Sequence, residues 1–181
     1  MKTYLLFLRG INVSGHKKIK MTDLKHMLER IGMQNVQTYI QSGNIVLKVT
    51  DENVQILEKK VSEVITRNYG FEVPVLVLEL SNFNEIVHQS PFSEYNDLEK
   101  KHAYFVLLKN KPETQLIQAL EEEKYPNETF KITQNCIYLT CKNGYGNAKC
   151  NTNFFERKLK VQATTRNYKT MSKLVAMTTE Y

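Results

Sequence analysis

The hydrophobic positions of this chain follow two alternating periods. The first apolar run, Tyr4-Leu5-Leu6-Phe7-Leu8, is continuous and predicts a strand over 3–8 that is apolar on both faces. Beyond a polar loop, Leu24, Met27, Leu28 and Ile31 recur at helical spacing. Thr22 is the predicted N-cap, Asp23 suits the positive end of the helix dipole, and Gly32 stops the helix. Two strands follow, over 36–41 and 44–49, with Ser42-Gly43 between them as a two-residue hairpin signal. That turn would set Gln41 opposite Asn44, Ile40 opposite Ile45, Tyr39 opposite Val46 and Thr38 opposite Leu47. Alternation would then place Ile40, Ile45 and Leu47 on the core face, and Tyr39, Gln41 and Asn44 together on the other. A second helix is predicted over 52–68, with Val54, Leu57, Val61 and Ile65 as its stripe and Gly70 as its end. A strand over 71–80 contains Pro74, which predicts an edge position or a bulge.

The resulting order is strand, helix, strand, strand, helix, strand, the order of a split βαβ or ferredoxin-like unit. Its helices should cover one sheet face and leave the other for a ligand, a partner or the rest of the chain. Residues 81–102 are polar and mixed, with a short helix near 82–89, and read as a connecting segment. The order then starts again: a strand over 103–109, a helix after Pro112 to about residue 123, and a hairpin of 130–133 and 136–141 around Gln134-Asn135. The two hairpins align without gaps, and Ile40, Ile45 and Leu47 coincide with Ile132, Ile137 and Leu139. A loop at 142–147, a short amphipathic helix over 153–160 and a last helix over 169–177 complete the chain. The expected fold class is α+β, with two ferredoxin-like (βαββαβ-type) subdomains in tandem and C-terminal helices. The expected bounds are an N-terminal subdomain at 1–80, a connection at 81–102 and a C-terminal subdomain at 103–181.

Composition narrows the class. The 181 residues are 41% hydrophobic and 24% charged, with ten Tyr and eight Phe, which is material for a packed core. The first apolar run ends at Arg9, too short for a membrane span or a secretion signal, so no membrane partner is expected. Three cysteines cannot all pair within the chain, which fits a reducing, cytoplasmic location. They show no Cys-x-x-Cys spacing and have no nearby histidine, so no metal site is expected. The net charge is +6, unevenly spread: residues 1–70 carry +5, residues 71–142 carry −4 and residues 143–181 carry +5. Two basic segments flanking an acidic middle could attract an anion if they meet in space.

Candidate chemistry concentrates in three polar clusters. The first follows the opening strand: Arg9-Gly10-Ile11-Asn12-Val13-Ser14-Gly15-His16-Lys17-Lys18. The second is Tyr39 to Asn44, including Gln41 and Ser42, and the third is Thr164-Thr165-Arg166-Asn167, set just before the last helix with amides that could attract an anion. The candidate ligand-binding residues are Arg9, Asn12, Gly15, Lys18, Tyr39, Gln41, Ser42, Asn44, Arg166 and Asn167. Guanidinium and amide groups in that combination suit a phosphate or a carboxylate. For each residue taken alone, the competing role is satisfaction of loop backbone groups. Gly10 and Gly15 share the spacing of a nucleotide P-loop, but His16 and Lys17 stand where Lys and Ser/Thr are needed, which argues against an NTPase. His16 is a candidate acid–base group, yet no paired carboxylates or nucleophile motif accompany it, so neither a catalytic residue nor a cofactor is identified. Base-stacking aromatics are missing from 44–49, which argues against a nucleic-acid partner.

Four segments carry a family resemblance: Arg9-Gly-Ile-Asn-Val-Ser-Gly15, Lys20-Met21 leading into a helix, Thr38-Tyr-Ile-Gln-Ser-Gly-Asn-Ile45 and Thr165-Arg-Asn-Tyr168. Together they resemble the domain of unknown function 1697 family of bacterial proteins, over nearly the whole chain and in the same order. Ser14, Leu47 and Tyr168 depart from residues frequent in that family, where Gly, Phe and Trp are common. The resemblance implies an α+β fold with ferredoxin-like subdomains and no established activity, substrate or catalytic residue. The expected function is therefore binding of a small anionic ligand, a nucleotide or phosphorylated metabolite, in the basic polar pocket. The alternative is a protein-interaction or self-association module, such as a homodimer, acting through an open sheet face.

Overall fold

The computed structural model describes residues 1–50 and 52–179. The chain divides into two units, Met1–Glu85 together with the residues from Leu174 onward, and Ile86–Lys173. Each unit is built on one four-stranded antiparallel sheet.

The first unit runs β1 (Lys2–Leu8), α1 (Met21–Arg30), β2 (Gln34–Tyr39), β3 (Asn44–Val49), α2 (Val54–Tyr69) and β4 (Val75–Glu79), and α3 (Leu80–His88) follows. Its strand order is β2-β3-β1-β4, so β1 and β3 are central and β4 is an edge. Pro74, which has no N–H to give a ladder, stands just before that edge strand. Leu6 lies opposite both Ile45 and Val77, and Tyr4 lies opposite Leu47. Leu57, Val61 and Ile65 of α2 and Leu24 and Leu28 of α1 bury against this row. Asn53 caps α2 by accepting from the amides of Gln55 and Ile56, and Gly70 ends it at φ +75°. α1 begins two residues earlier than its sequence suggests. Lys20, extended at φ −73° and ψ 130°, takes the N-cap place without a side-chain bond, and Thr22 lies inside the helix.

The second unit repeats the plan. After α4 (Asp97–Lys100) come β5 (Ala103–Leu108), α5 (Thr114–Glu121), β6 (Glu128–Ile132), β7 (Cys136–Cys141), α6 (Thr152–Leu159), β8 (Ala163–Asn167) and α7 (Tyr168–Thr178), whose residues from Leu174 onward belong to the first unit. The strand order is β6-β7-β5-β8, the same as in the first sheet. Equivalent backbone bonds confirm the match. Leu8 N–H donates to Gly43 O (2.8 Å) as Leu108 N–H does to Asn135 O (2.9 Å), and Arg9 N–H to Pro74 O (3.1 Å) as Lys109 N–H to Gln162 O (2.9 Å). Residues 164–167, read from sequence only as a polar cluster before the last helix, are most of β8, with Arg166 opposite Phe105 and Asn167 opposite Tyr104. Their alternation of short polar and charged residues hides an edge strand that sequence period alone does not mark.

In both sheets the apolar face away from the helices is buried, which fits the last of the three uses expected for it, cover by the rest of the chain. In the first, Leu5, Phe7, Val46, Leu76 and Leu78 on the side away from α1 and α2 are all buried, and Phe83 of α3 stacks on Phe7 at 6.4 Å. In the second, Phe105, Leu107, Cys136 and Tyr138 are buried likewise, with Phe92 packed edge-on to Phe105 and Tyr138 and the Tyr138 hydroxyl donating to Ile86 O (2.7 Å). The reason is legible in β1 and β5 themselves. Both are apolar at nearly every position, so neither has a side to give to water. Among the described residues no helix is long and apolar enough to cross a membrane.

Candidate functional site

Residues 9–20, between β1 and α1, form a compact lobe rather than an open loop. Its backbone is left-handed at Gly10 (φ +71°), Asn12 (+54°), Ser14 (+49°), Gly15 (+78°) and Lys17 (+46°). Asn12 N–H donates to Lys17 O (3.1 Å) and His16 N–H to Val13 O (2.9 Å), which closes the lobe on itself. The Asn12 side chain then ties it down. Its Oδ1 accepts from Ile19 N–H (2.9 Å), and its Nδ2 donates to Ile19 O (2.9 Å) and Gln41 O (2.8 Å). Ile11 and Ile19 are buried and anchor the lobe at both ends. Asn or Asp is the side chain that both tolerates the left-handed region and reaches its own loop's backbone.

The hairpin that Asn12 grips differs from the two-residue turn in the sequence reading. Tyr39 pairs with Asn44, Thr38 with Ile45 and Gln37 with Val46, two residues out of the predicted register. A slip of two preserves the sheet face of each residue, so Tyr39 and Asn44 still share a side. Ile40 and Gln41, however, leave the sheet for a four-residue turn. Ile40, expected in the core, stands at φ +49° with 49% of its surface exposed. Asn44, fully buried, explains the register: its Nδ2 donates to Tyr39 O (3.1 Å) and Ser42 Oγ (2.9 Å) and closes the turn. Gly43 has φ +78°, and a Cβ built there would lie 2.5 Å from Leu8 Cβ and 3.0 Å from Ile11 Cδ1. Only glycine lets the turn lie against the end of β1. The second hairpin keeps the predicted two-residue turn, with Thr133 N–H donating to Cys136 O (2.9 Å) and Ile132 opposite Ile137.

Two of the three polar clusters therefore meet. The lobe and the hairpin turn are joined by the Asn12–Gln41 bond, in the first unit. Of the other candidates in these two segments, Arg9 is half-buried at the end of β1, and Gly15, Lys18 and Gln41 are exposed. The Lys17 ammonium donates to Glu72 O (2.6 Å) and lies 6.0 Å from the Phe71 ring centre. Asn12, Ser42 and Asn44 spend side-chain polar groups on loop backbone and on one another, which is the competing structural role weighed for them. The third cluster belongs to the second unit. Arg166 is buried, and its guanidinium donates to Thr164 Oγ1 (2.8 Å) and Thr165 O (2.9 Å). Burial pushes this guanidinium down to about 10, so it stays charged at neutral pH. Asn167 accepts from Thr170 N–H (2.8 Å) and caps α7.

Sequence reasoning missed two features. One is the pair of apolar side chains exposed at the lobe and turn, Val13 (58%) and Ile40 (49%). Val13 carried the signal, an isolated apolar residue in a loop of polar ones. The other is a cleft of about 290 Å³ in the first unit, lined by Asp23, His26, Met27 and Arg30 of α1 and Asn68 and Tyr69 of α2. Burial, with Asp23 second, pushes the Tyr69 phenol up. The cysteines are three buried free thiols. Desolvation pushes Cys141 and Cys150 up to about 12, and Cys136 well above the ordinary thiol value, so none is a ready nucleophile.

The fold matches that of the conserved bacterial protein SP0830 from Streptococcus pneumoniae, with a TM-score of 0.71 over 97% of this chain and 98% of that one. Sequence identity over that match is 24%, so the likeness concerns the fold alone. No functionally curated protein matches the chain. The profile of the family described as protein of unknown function (DUF1697) matches residues 1–138, which include β1, the lobe, the Asn44-centred turn and most of the second hairpin, and the chain belongs to that family.

Proposed function

We propose that the protein binds a small anionic ligand, a nucleotide or phosphorylated metabolite, at the junction of the 9–20 lobe and the 40–43 turn. One observation carries the reading: Asn12 binds the cation-bearing lobe to the Gln41 carbonyl, so two segments chosen for their chemistry share one surface. The lobe has left-handed residues at five of its positions, the kind of backbone from which anion-binding nests are built. Arg9 supplies a guanidinium suited to bidentate contact with phosphate, and Lys18 adds a mobile ammonium. Asn12, Ser42, Gly43 and Asn44 hold this surface in shape. The ligand's own contacts fall to Arg9, Lys18, Gln41 and backbone amides of the lobe. Arg166 and Asn167, in the second unit, are left outside the proposed site.

A thermal-shift series against nucleotides, sugar phosphates and carboxylates, at low and moderate salt, tests the reading, because a ligand of the native state raises the melting point. A stabilising ligand should lose its effect in Arg9→Ala, while that variant still melts cooperatively as a folded protein. Arg9→Ala unfolding the protein would assign Arg9 a structural role. A ligand whose shift survives the substitution would place the site elsewhere.

A further inference from the structure

Val13 and Ile40 add a requirement that charge alone does not. Each is adjacent in sequence to a partner of the Asn12–Gln41 bond, one on the lobe and one on the turn. Among the described residues, large apolar side chains are exposed at Met1, Val13, Ile40, Ile56 and Leu98, and two of these five flank this one hydrogen bond. Ile40 is the more telling. A β-branched residue at φ +49° is an outlier, and here its side chain is half exposed instead of filling the core that could offset the strain. What it supplies is exposed apolar surface next in sequence to Gln41, the residue bonded to the lobe.

We infer that the ligand of this site is a nucleoside phosphate, whose base packs on the Val13 and Ile40 side chains while its phosphates meet Arg9, Lys18 and the lobe amides. This rests on the anion-site reading above and narrows it. The faces of a base are flat and weakly hydrated, and aliphatic side chains cover them well. Pyrophosphate or a sugar phosphate would satisfy the cations and leave both aliphatic groups wet.

Isothermal titration with pyrophosphate, ribose 5-phosphate, unphosphorylated nucleosides and nucleoside triphosphates separates the contributions. The triphosphate should bind, with ribose 5-phosphate and pyrophosphate at least about tenfold weaker. Ile40→Asn, whose side chain accepts the left-handed backbone, and Val13→Thr, which keeps the shape, should each weaken the triphosphate by roughly three- to tenfold. Both should leave pyrophosphate binding unchanged. If pyrophosphate or ribose 5-phosphate binds as tightly as the triphosphate, or both variants bind the triphosphate like the parent, the base-packing inference is overturned and the anion site stands. If none of the four compounds binds, or Arg9→Ala leaves triphosphate affinity unchanged, the anion site falls and the inference with it.

Discussion

At Ile40 the backbone asks for one kind of residue and the sequence provides another. Left-handed geometry costs an L-residue about 1–2 kcal/mol, and branching at Cβ makes it worse. Ile40→Asn should therefore stabilise the free protein by about 1 kcal/mol, raising its melting temperature by roughly 2–4 °C. Ile40→Val, which keeps the branch, should leave it unchanged. A lowered melting temperature in Ile40→Asn would mean that the isoleucine packs more usefully than its exposure indicates. The residue-level reading from sequence went astray at this point for a physical reason. Asn44 was recognisable as polar and sheet-facing, but nothing in the chain announced that its amide would reach both Tyr39 and Ser42 and lengthen the turn. Asn12 was recognisable as a loop amide, but its choice of the Gln41 carbonyl, 29 residues away, depends on the register of the hairpin.

Elements show a shared solution to a shared exposure. β4 and β8 are edge strands, and in each a backbone N–H is taken by a glutamate from the preceding helix. Val77 N–H donates to Glu58 Oε1 (3.1 Å), and Ala163 N–H to Glu156 Oε1 (2.8 Å). Glu58 is buried, so deleting its carboxylate should strand a donor that water cannot fully reach. Glu58→Ala is expected to lower urea stability by about 1–3 kcal/mol, and Glu58→Gln, which keeps an acceptor oxygen, by distinctly less. Equal losses in the two variants would mean that packing, not the hydrogen bond, is what Glu58 supplies. Element order was the most legible level in the sequence, because Leu57, Val61 and Ile65 keep a strict helical stripe and β1, β3, β5 and β7 keep continuous apolar runs. β8 was not legible, since Thr164, Thr165, Arg166 and Asn167 offer no apolar alternation and are held in the ladder by β5.

Across the whole molecule, the buried thiols tie stability to alkaline pH. Burial raises Cys141 and Cys150 to about 12 and Cys136 higher still, whereas in the unfolded chain they titrate at the ordinary thiol value. Below that value both states are protonated and the thiols contribute no pH dependence. Above it the unfolded chain releases protons that the folded one keeps, so stability falls as pH rises. Arg166 acts in the opposite sense, but only above about 10. Urea midpoints taken from pH 7.5 to 9.5 should decline, by about 1 kcal/mol for each thiol once pH is a unit past the ordinary thiol value, and Cys150→Ala should make the decline shallower. A flat profile would mean that the thiols reach solvent in the folded state. The repeated sheet has a different consequence at this scale. The bond from Leu8 to Gly43 recurs from Leu108 to Asn135, but residues 9–20 in the first unit are replaced by the far shorter 109–113 in the second. The polypeptide thus carries its own blank. In a residue-resolved titration, the Leu108 and Lys109 amides report what a sheet of this order does without the lobe, and any response of Leu8 and Arg9 that they do not share belongs to the lobe and its ligand.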